Sequence, residues 1–259
     1  MLILVAAMSM AQALWVNEPK TLAEGVIHET LHSVKNNAEI GYSIYLPKGY
    51  AAAKKRLPLI LFLHGSGGSE ISDAGPGGYT AVVDHAVQQG LIPESVVLFV
   101  NGRQSGYRDH PERNEYVETF LVKELLPAIE KKYRTGGSRT NRLATGFSMG
   151  GAGACNLALK YPDLFAAAVA SGSSVRDANA EGLALLATQA DRLRKDGFRF
   201  YMGVGETDNF AQAPKFRDAL EAEGIRHQYR VLPGIGHDLG AYYRLTGDEA
   251  FRFVAPTLH

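Results

Sequence analysis

Residues 57–63 (LPLILFL) form a short continuous apolar run, as expected of a strand buried on both faces. Residues 95–100 (SVVLFV), 142–147 (RLATGF), 165–170 (FAAAVA), 198–204 (FRFYMGV) and 227–232 (HQYRVL) have the same character. Between them, apolar positions recur with helical spacing over 79–89, 114–133, 150–160, 181–195, 213–223 and 238–254. Strands that alternate with helices imply a mainly parallel sheet covered on both faces. Upstream, residues 26–34 (VIHETLHSV) are rich in β-branched residues, Asn36 and Asn37 mark a turn, and 39–46 (EIGYSIYL) alternates polar and apolar. These two stretches read as an antiparallel hairpin. The pattern therefore predicts an α/β fold with about eight strands. No repeat, low-complexity tract or Pro/Ser-rich linker interrupts it, so one domain over residues 14–259 is the economical reading.

The first sixteen residues (MLILVAAMSMAQALWV) are apolar but too short for a membrane span, which needs about 20 residues. Ala11-Gln12-Ala13 fits the small-x-small rule for leader cleavage, so residues 1–13 read as a signal peptide, although no Lys or Arg precedes the apolar run. Export to the periplasm or the medium follows; without cleavage the same run is an apolar N-terminal helix and the protein is cytoplasmic. The 27 basic and 27 acidic side chains cancel to a net charge of +0, which removes the field a nucleic-acid binder uses. No membrane partner is expected either. The single cysteine, Cys155, forbids an intrachain disulfide and any multi-cysteine metal site. The sequence sets no oligomeric state.

Gly146-Phe147-Ser148-Met149-Gly150-Gly151 contains the one G-x-S-x-G match in the chain. It follows a predicted strand and opens a predicted helix, the context in which a sharp turn holds a nucleophilic serine clear of the sheet. A serine hydroxyl needs a base, and the base an orienting acid, in the order Ser, Asp/Glu, His on such folds. Three histidines lie downstream: His227 in a predicted strand, His259 at the last position, and His237 in the loop Pro233-Gly234-Ile235-Gly236-His237 just beyond a strand. His237 is the candidate base, since loops at strand C-terminal ends carry the sites of open α/β sheets. The loop after the preceding strand offers two acids, Glu206 and Asp208. The backbone N–H of Met149 is one candidate oxyanion donor. The loop His64-Gly65-Ser66-Gly67-Gly68 supplies the other, with Ser66 preferred and Gly65 or Gly67 the alternatives. It lacks the G-K-[ST] of a phosphate-binding loop.

His28-Glu29-Thr30-Leu31-His32 matches H-E-x-x-H, the zinc-protease signature. That chemistry requires a helix, where residues i and i+4 lie about 6 Å apart. On a strand the two histidines stand roughly 13 Å apart and cannot share a metal. They read as two solvent-face strand residues, so no metal is expected there.

The chain resembles the esterase-D-type branch of the α/β-hydrolases, which includes feruloyl and acetyl-xylan esterases of carbohydrate esterase family one, S-formylglutathione hydrolases and mycolyltransferases. The resemblance is carried by Tyr45-Leu46-Pro47 with Gly49-Tyr50, His64 to Gly68, Asn101-Gly102-Arg103, Glu124-Leu125-Leu126-Pro127 before Tyr133-Arg134, Gly146 to Gly151, Tyr161-Pro162-Asp163-Leu164-Phe165, Ser171-Gly172, Asp208 and Gly236-His237. It implies Asp208, not Glu206, as the acid, no metal and no organic cofactor, and a serine carboxylesterase acting on small or sugar-linked esters of feruloyl or acetyl type. An acyltransferase or a thioesterase of the S-formylglutathione hydrolase kind would use the same three residues, and a binding protein on this fold would use none. Residues 171–197 hold one predicted helix, too little for a large lid. The loop 101–114 (NGRQSGYRDHPERN) is polar, and Arg103 and Tyr107 are its candidate substrate contacts, with Arg108 beside them. The partner is a small-molecule or saccharide ester.

If His28 and His32 stand on a strand, a chelator leaves ester hydrolysis unchanged. Stoichiometric zinc whose removal stops turnover would restore the metalloprotease reading.

Overall fold

The computed structural model describes residues 14–173, 180–208 and 214–258. The chain opens with the hairpin β1 (Val26–Ser33) and β2 (Ala38–Tyr45), followed by β3 (Leu59–Leu63), α1 (Tyr79–Gln88) and β4 (Val96–Val100). A small ribbon, β5 (Asp109–His110) with β6 (Glu115–Tyr116), leads into α2 (Val117–Thr119) and α3 (Leu126–Lys132). Then come β7 (Arg142–Phe147), α4 (Met149–Lys160), β8 (Ala167–Ser171), α5 (Ala180–Lys195) and β9 (Arg199–Gly205). The chain ends with α6 (Pro214–Ala222), β10 (Arg226–Leu232) and α7 (Leu239–Val254). Eight strands form one sheet in the order β1-β2-β4-β3-β7-β8-β9-β10. β1 pairs with β2 and β2 with β4 antiparallel, and every other neighbour in that sheet is parallel. The mainly parallel sheet and antiparallel N-terminal hairpin of the sequence reading are both present. α5 occupies the segment where a large lid would otherwise insert. Residues 1–13, read as a signal peptide, and His259 lie outside the described residues.

The apolar runs are explained by burial on both faces, except in β10, which the sequence reading grouped with them and which instead forms an edge of the sheet with only Leu232 buried. In β3, Leu59, Leu61 and Leu63 join one core, while Ile60 and Phe62 join the other. β4 divides likewise, Val96, Leu98 and Val100 against Val97 and Phe99. The second core lies beneath α1 and α7; the first lies beneath α3, α4, α5 and α6. Among the described residues no helix is long and apolar enough to cross a membrane.

The helix expected over 114–133 differs from the reading. Asn114 adopts φ 50° and residues 115–116 pair with 109–110, so the helix starts only at Val117. Asp109 ties its start: the carboxylate accepts from the Thr119 N–H at 3.0 Å and the Thr119 hydroxyl at 2.5 Å. Residues Phe120–Leu125 widen into a π-helical turn before Pro127, which has no N–H to give and crowds the carbonyl four residues back.

At the centre of the sheet β3, β7 and α4 meet at van der Waals limits. A Cβ on Gly150 would lie 1.9 Å from the Leu63 carbonyl oxygen, and one on Gly146 2.5 Å from the same atom. Only hydrogen fits there. Gly150→Ala should therefore destabilise the fold by at least about 3 kcal/mol, read as a lowered urea midpoint. A midpoint equal to that of the unsubstituted protein would show that α4 can move away from β3.

Candidate active site

Ser148 joins β7 to α4 with φ 53° and ψ −118°, a region that side chains other than glycine rarely enter. The strain is held from both sides. The Ser148 N–H donates to the Ser171 carbonyl at 2.9 Å, and the Ser148 carbonyl accepts from the Ala152 N–H at 3.1 Å. Strain of this kind persists where its surroundings over-determine it, and it clusters at functional sites. The serine also caps the first turn of α4, where the positive end of the helix dipole favours developing negative charge.

Ser148 and His237 border one cavity of about 540 Å³, together with Gly65, Ser66, Asp73 and Leu239. His237 follows β10 in the glycine loop, and its ring lies on that of Phe147, 4.6 Å between centroids. Nδ1 of His237 is 2.7 Å from Oδ2 of Asp208, a carboxylate only 1% exposed. The same Oδ2 accepts from the Tyr242 hydroxyl at 2.8 Å, and that hydroxyl accepts from the Gly205 N–H at 2.6 Å. Burial, and then the hydrogen bond to Asp208, push the Tyr242 phenol well above its ordinary range, so it stays a donor. Glu206, the other candidate acid, is exposed and accepts from the Gly234 N–H at 2.8 Å, which steadies the glycine loop. The structure thus brings Ser148, His237 and Asp208 together and turns Glu206 elsewhere. His227 remains in β10, its Nδ1 facing the Ile225 carbonyl at 2.9 Å.

The loop after β3 is fixed by a side chain the sequence reading named but gave no task. Buried His64 accepts from the Gly102 N–H through Nε2 at 3.0 Å and donates from Nδ1 to the Gly65 carbonyl at 2.8 Å. Those roles require the neutral ring, and burial lowers its pKa in the same direction. Ser66 is the one residue of this loop that borders both the cavity of Ser148 and a neighbouring cavity of about 350 Å³, which Met149 also borders. Neither the Ser66 nor the Met149 N–H donates a hydrogen bond among the described residues.

Two proposed substrate contacts lie elsewhere. Tyr107 is 1% exposed: its ring fills the slot left by Gly153, where a Cβ would come within 2.6 Å of it, and its hydroxyl donates to the His64 carbonyl at 2.9 Å. It supports the loop and does not line the cleft beside Ser148. The Arg103 side chain is 15% exposed, stacked on Trp15 at 4.5 Å, and 3.6 Å from Glu115. An aromatic ring and a carboxylate hold it away from the cavity, although its buried Nε has no hydrogen-bond partner among the described residues. From the same loop, Gln104, Ser105, Gly106, Arg108, His110 and Arg113 reach the second cavity. Asp73 also lines the first cavity, its carboxyl raised by burial and bonded to the Tyr243 hydroxyl at 3.1 Å. Asp73 and Tyr242 were not read from the sequence; nothing in their local pattern distinguishes them from loop and helix residues.

His28 and His32 are on β1, as expected of strand residues, opposite Ser43 and Glu39. Only His32 is at the solvent face. His28 is 13% exposed and 3.2 Å from the buried Glu70, so its reading as a solvent-face residue is corrected: the loop after β3 covers it. Burial pushes the Cys155 thiol up to about 12, which leaves it inert.

The family model described as "Putative esterase" matches residues 33–256. The chain is 26% identical over 212 residues to an endo-1,4-beta-xylanase/feruloyl esterase of Xylanibacter ruminicola, covering 78% of this chain and 27% of that protein. It is 25% identical over 245 residues to an esterase of Mycobacterium tuberculosis, covering 76% of this chain and 52% of that one. The chain therefore spans about a quarter and about half the length of these curated relatives. A solved ferulic acid esterase superposes with a TM-score of 0.75 at 29% identity, over 90% of this chain and 98% of that one. An S-formylglutathione hydrolase from Agrobacterium tumefaciens shares the fold, with a TM-score of 0.70 at 20% identity over 92% of this chain and 97% of that one.

Asp208→Asn should lower kcat for an ester by up to about 10⁴-fold, because the amide favours the wrong imidazole tautomer. Glu206→Gln should change it little. Tyr242→Phe should cost roughly tenfold, the worth of one hydrogen bond to a charged acceptor. A larger loss in Glu206→Gln than in Asp208→Asn would reassign the acid.

Proposed function

The chain belongs to the esterase family whose model spans it, and from that membership and the site geometry we infer that it is a serine carboxylesterase acting through an acyl-enzyme on Ser148. The observation that carries this reading is a strained serine at a helix start, sharing one cavity with a histidine bonded to a buried carboxylate. Ser148 Oγ attacks the ester carbonyl while His237 Nε2 takes its proton, and Asp208 holds the Nδ1–H and stabilises the imidazolium. The N–H groups of Met149 and Ser66 receive the developing oxyanion. As the intermediate collapses, His237 returns the proton to the leaving alcohol. Water then attacks the acyl-serine by the same route, releasing the acid and restoring the serine. The cleft is wide and uncovered among the described residues, which gives water access to the acyl-enzyme and favours hydrolysis over acyl transfer.

The substrate class is an ester with a short or aromatic acyl group on a sugar or other polar alcohol, of feruloyl or acetyl type. Support comes from Gln104, Arg108, His110 and Asn156 on the second cavity, and from the likeness to ferulic acid esterases. Export belongs to the same reading and is supported by the apolar stretch and Ala11-Gln12-Ala13 at the N-terminus.

Ser148→Ala should reduce kcat by several orders of magnitude while leaving the thermal transition in place. In a kcat/KM panel of p-nitrophenyl esters with methyl ferulate and acetylated xylan, acyl chains beyond about ten carbons should be poor, since each methylene adds about 0.8 kcal/mol only where an apolar groove can bury it. Retained activity in Ser148→Ala would overturn the assignment of the nucleophile, and a preference for long chains the assignment of the substrate.

A further inference from the structure

The two cavities differ in what they offer a substrate. The leaving oxygen of an ester must lie at His237, because that ring returns the proton to it. His237 borders the 540 Å³ cavity and not the 350 Å³ one. The smaller cavity is bordered by Ser66 and Met149, the two proposed oxyanion donors, and not by His237. The alcohol therefore occupies the larger cavity and the acyl group the smaller.

Arg108, His110 and Arg113 border the acyl cavity, with Gln104 and Asn156, and among the described residues no carboxylate does. Two of the three cationic-type side chains have partners. Arg113 pairs with Glu115 at 3.1 Å, and His110 has Glu112 at 3.2 Å and the Ser105 carbonyl at 2.8 Å on its two ring nitrogens. Arg108 is different. It is half-buried on the wall of the cavity, and among the described residues it forms neither an ion pair nor a hydrogen bond. None of its nitrogens is sealed from solvent, and besides this cavity Arg108 borders a neighbouring one of about 200 Å³ with Asp109, Glu118 and Lys160. A half-buried guanidinium whose donors are reached by solvent and not by a protein partner is free to take an anionic one. Its planar fork matches a carboxylate with two parallel hydrogen bonds. The acidic residues nearest in sequence are already engaged: Asp109 with Thr119, and Glu112 and Glu115 with His110 and Arg113.

We propose that the acyl cavity, through Arg108, selects esters whose acyl group ends in a carboxylate, the monoesters of dicarboxylic acids. This rests on the serine carboxylesterase reading and narrows its substrate class. Hydrolysis of such a monoester releases a dicarboxylate and the alcohol. The charge pattern predicts selectivity by side: an anion on the acyl group is bound, and among the described residues no arginine or lysine borders the alcohol cavity, which carries Asp73 instead.

The test compares matched esters by kcat/KM. Monomethyl adipate is set against methyl hexanoate, and monomethyl terephthalate against methyl 4-methylbenzoate, which places the acyl carboxylate at two reaches. The pair 4-acetoxybenzoate and 4-methylphenyl acetate puts the charge on the leaving group. The acyl carboxylate should raise kcat/KM at least about tenfold in one of the first two pairs, the size of a charge-assisted hydrogen bond in a partly exposed site. The leaving-group carboxylate should give no gain. Arg108→Gln should bring the anionic-to-neutral ratio down to about one, Arg108→Lys should keep part of it, and added salt should erode it. Turnover of the neutral esters with no gain for the acyl anion, or a gain that survives Arg108→Gln, would overturn the subsite and leave the esterase reading standing. Failure to hydrolyse any of the six would overturn both.

Discussion

The carbonyl of Leu63 lies where a side chain on Gly150 or Gly146 would have to be. That contact sets the separation between the end of β3 and the start of α4. The glycine loop leaves β3 at His64, one residue after Leu63, and the strained serine stands between Gly146 and Gly150. The spacing of the proposed oxyanion donors and the nucleophile is therefore fixed by backbone packing at the centre of the sheet, and no flexible side chain has to be ordered to achieve it. If Ser66 and Met149 serve as proposed, this is preorganisation: their dipoles are in place before charge appears.

Around that contact the loops are tied to one another by buried polar groups. His64, neutral in its buried setting, joins its own loop to Gly102, and Tyr107 returns from the next loop to the His64 carbonyl. Beneath them the fully buried Glu70 accepts from the Asn17 backbone and side chain and from Asn101, and faces His28. Each of these groups would be costly to bury alone, and together they satisfy one another. On the other flank Tyr242 does for Asp208 what His64 does for the loop after β3. It holds the carboxylate from the side opposite His237 and anchors it to the backbone of β9 through Gly205.

The apolar runs made the sheet legible in the sequence, because a parallel strand buried on both faces has no polar positions to disguise it. The elbow was legible for a different reason: its glycines are dictated by steric contact, and a serine between them has few structural excuses. His237 followed from chain order. The choice between Glu206 and Asp208 did not, since both carboxylates sit on the same loop and only the fold turns one inward and the other out toward Gly234. Arg103 and Tyr107 misled because a polar loop at the right end of a strand does not say which of its residues face the cleft. Positive φ at Arg103 and Tyr107 redirects both side chains, one onto Trp15 and the other into the slot beside Gly153. The start of the helix after that loop was missed for the same kind of reason, a left-handed Asn114 that lets two residues pair as a ribbon first.

The most direct test of a preorganised, uniquely reactive Ser148 is covalent labelling of the folded protein with a fluorophosphonate, followed by peptide mapping by mass spectrometry. The expected result is one adduct per chain, on the peptide containing Ser148, lost in the unfolded protein and in His237→Ala. Labelling at another residue, or no labelling of the native chain, would contradict it.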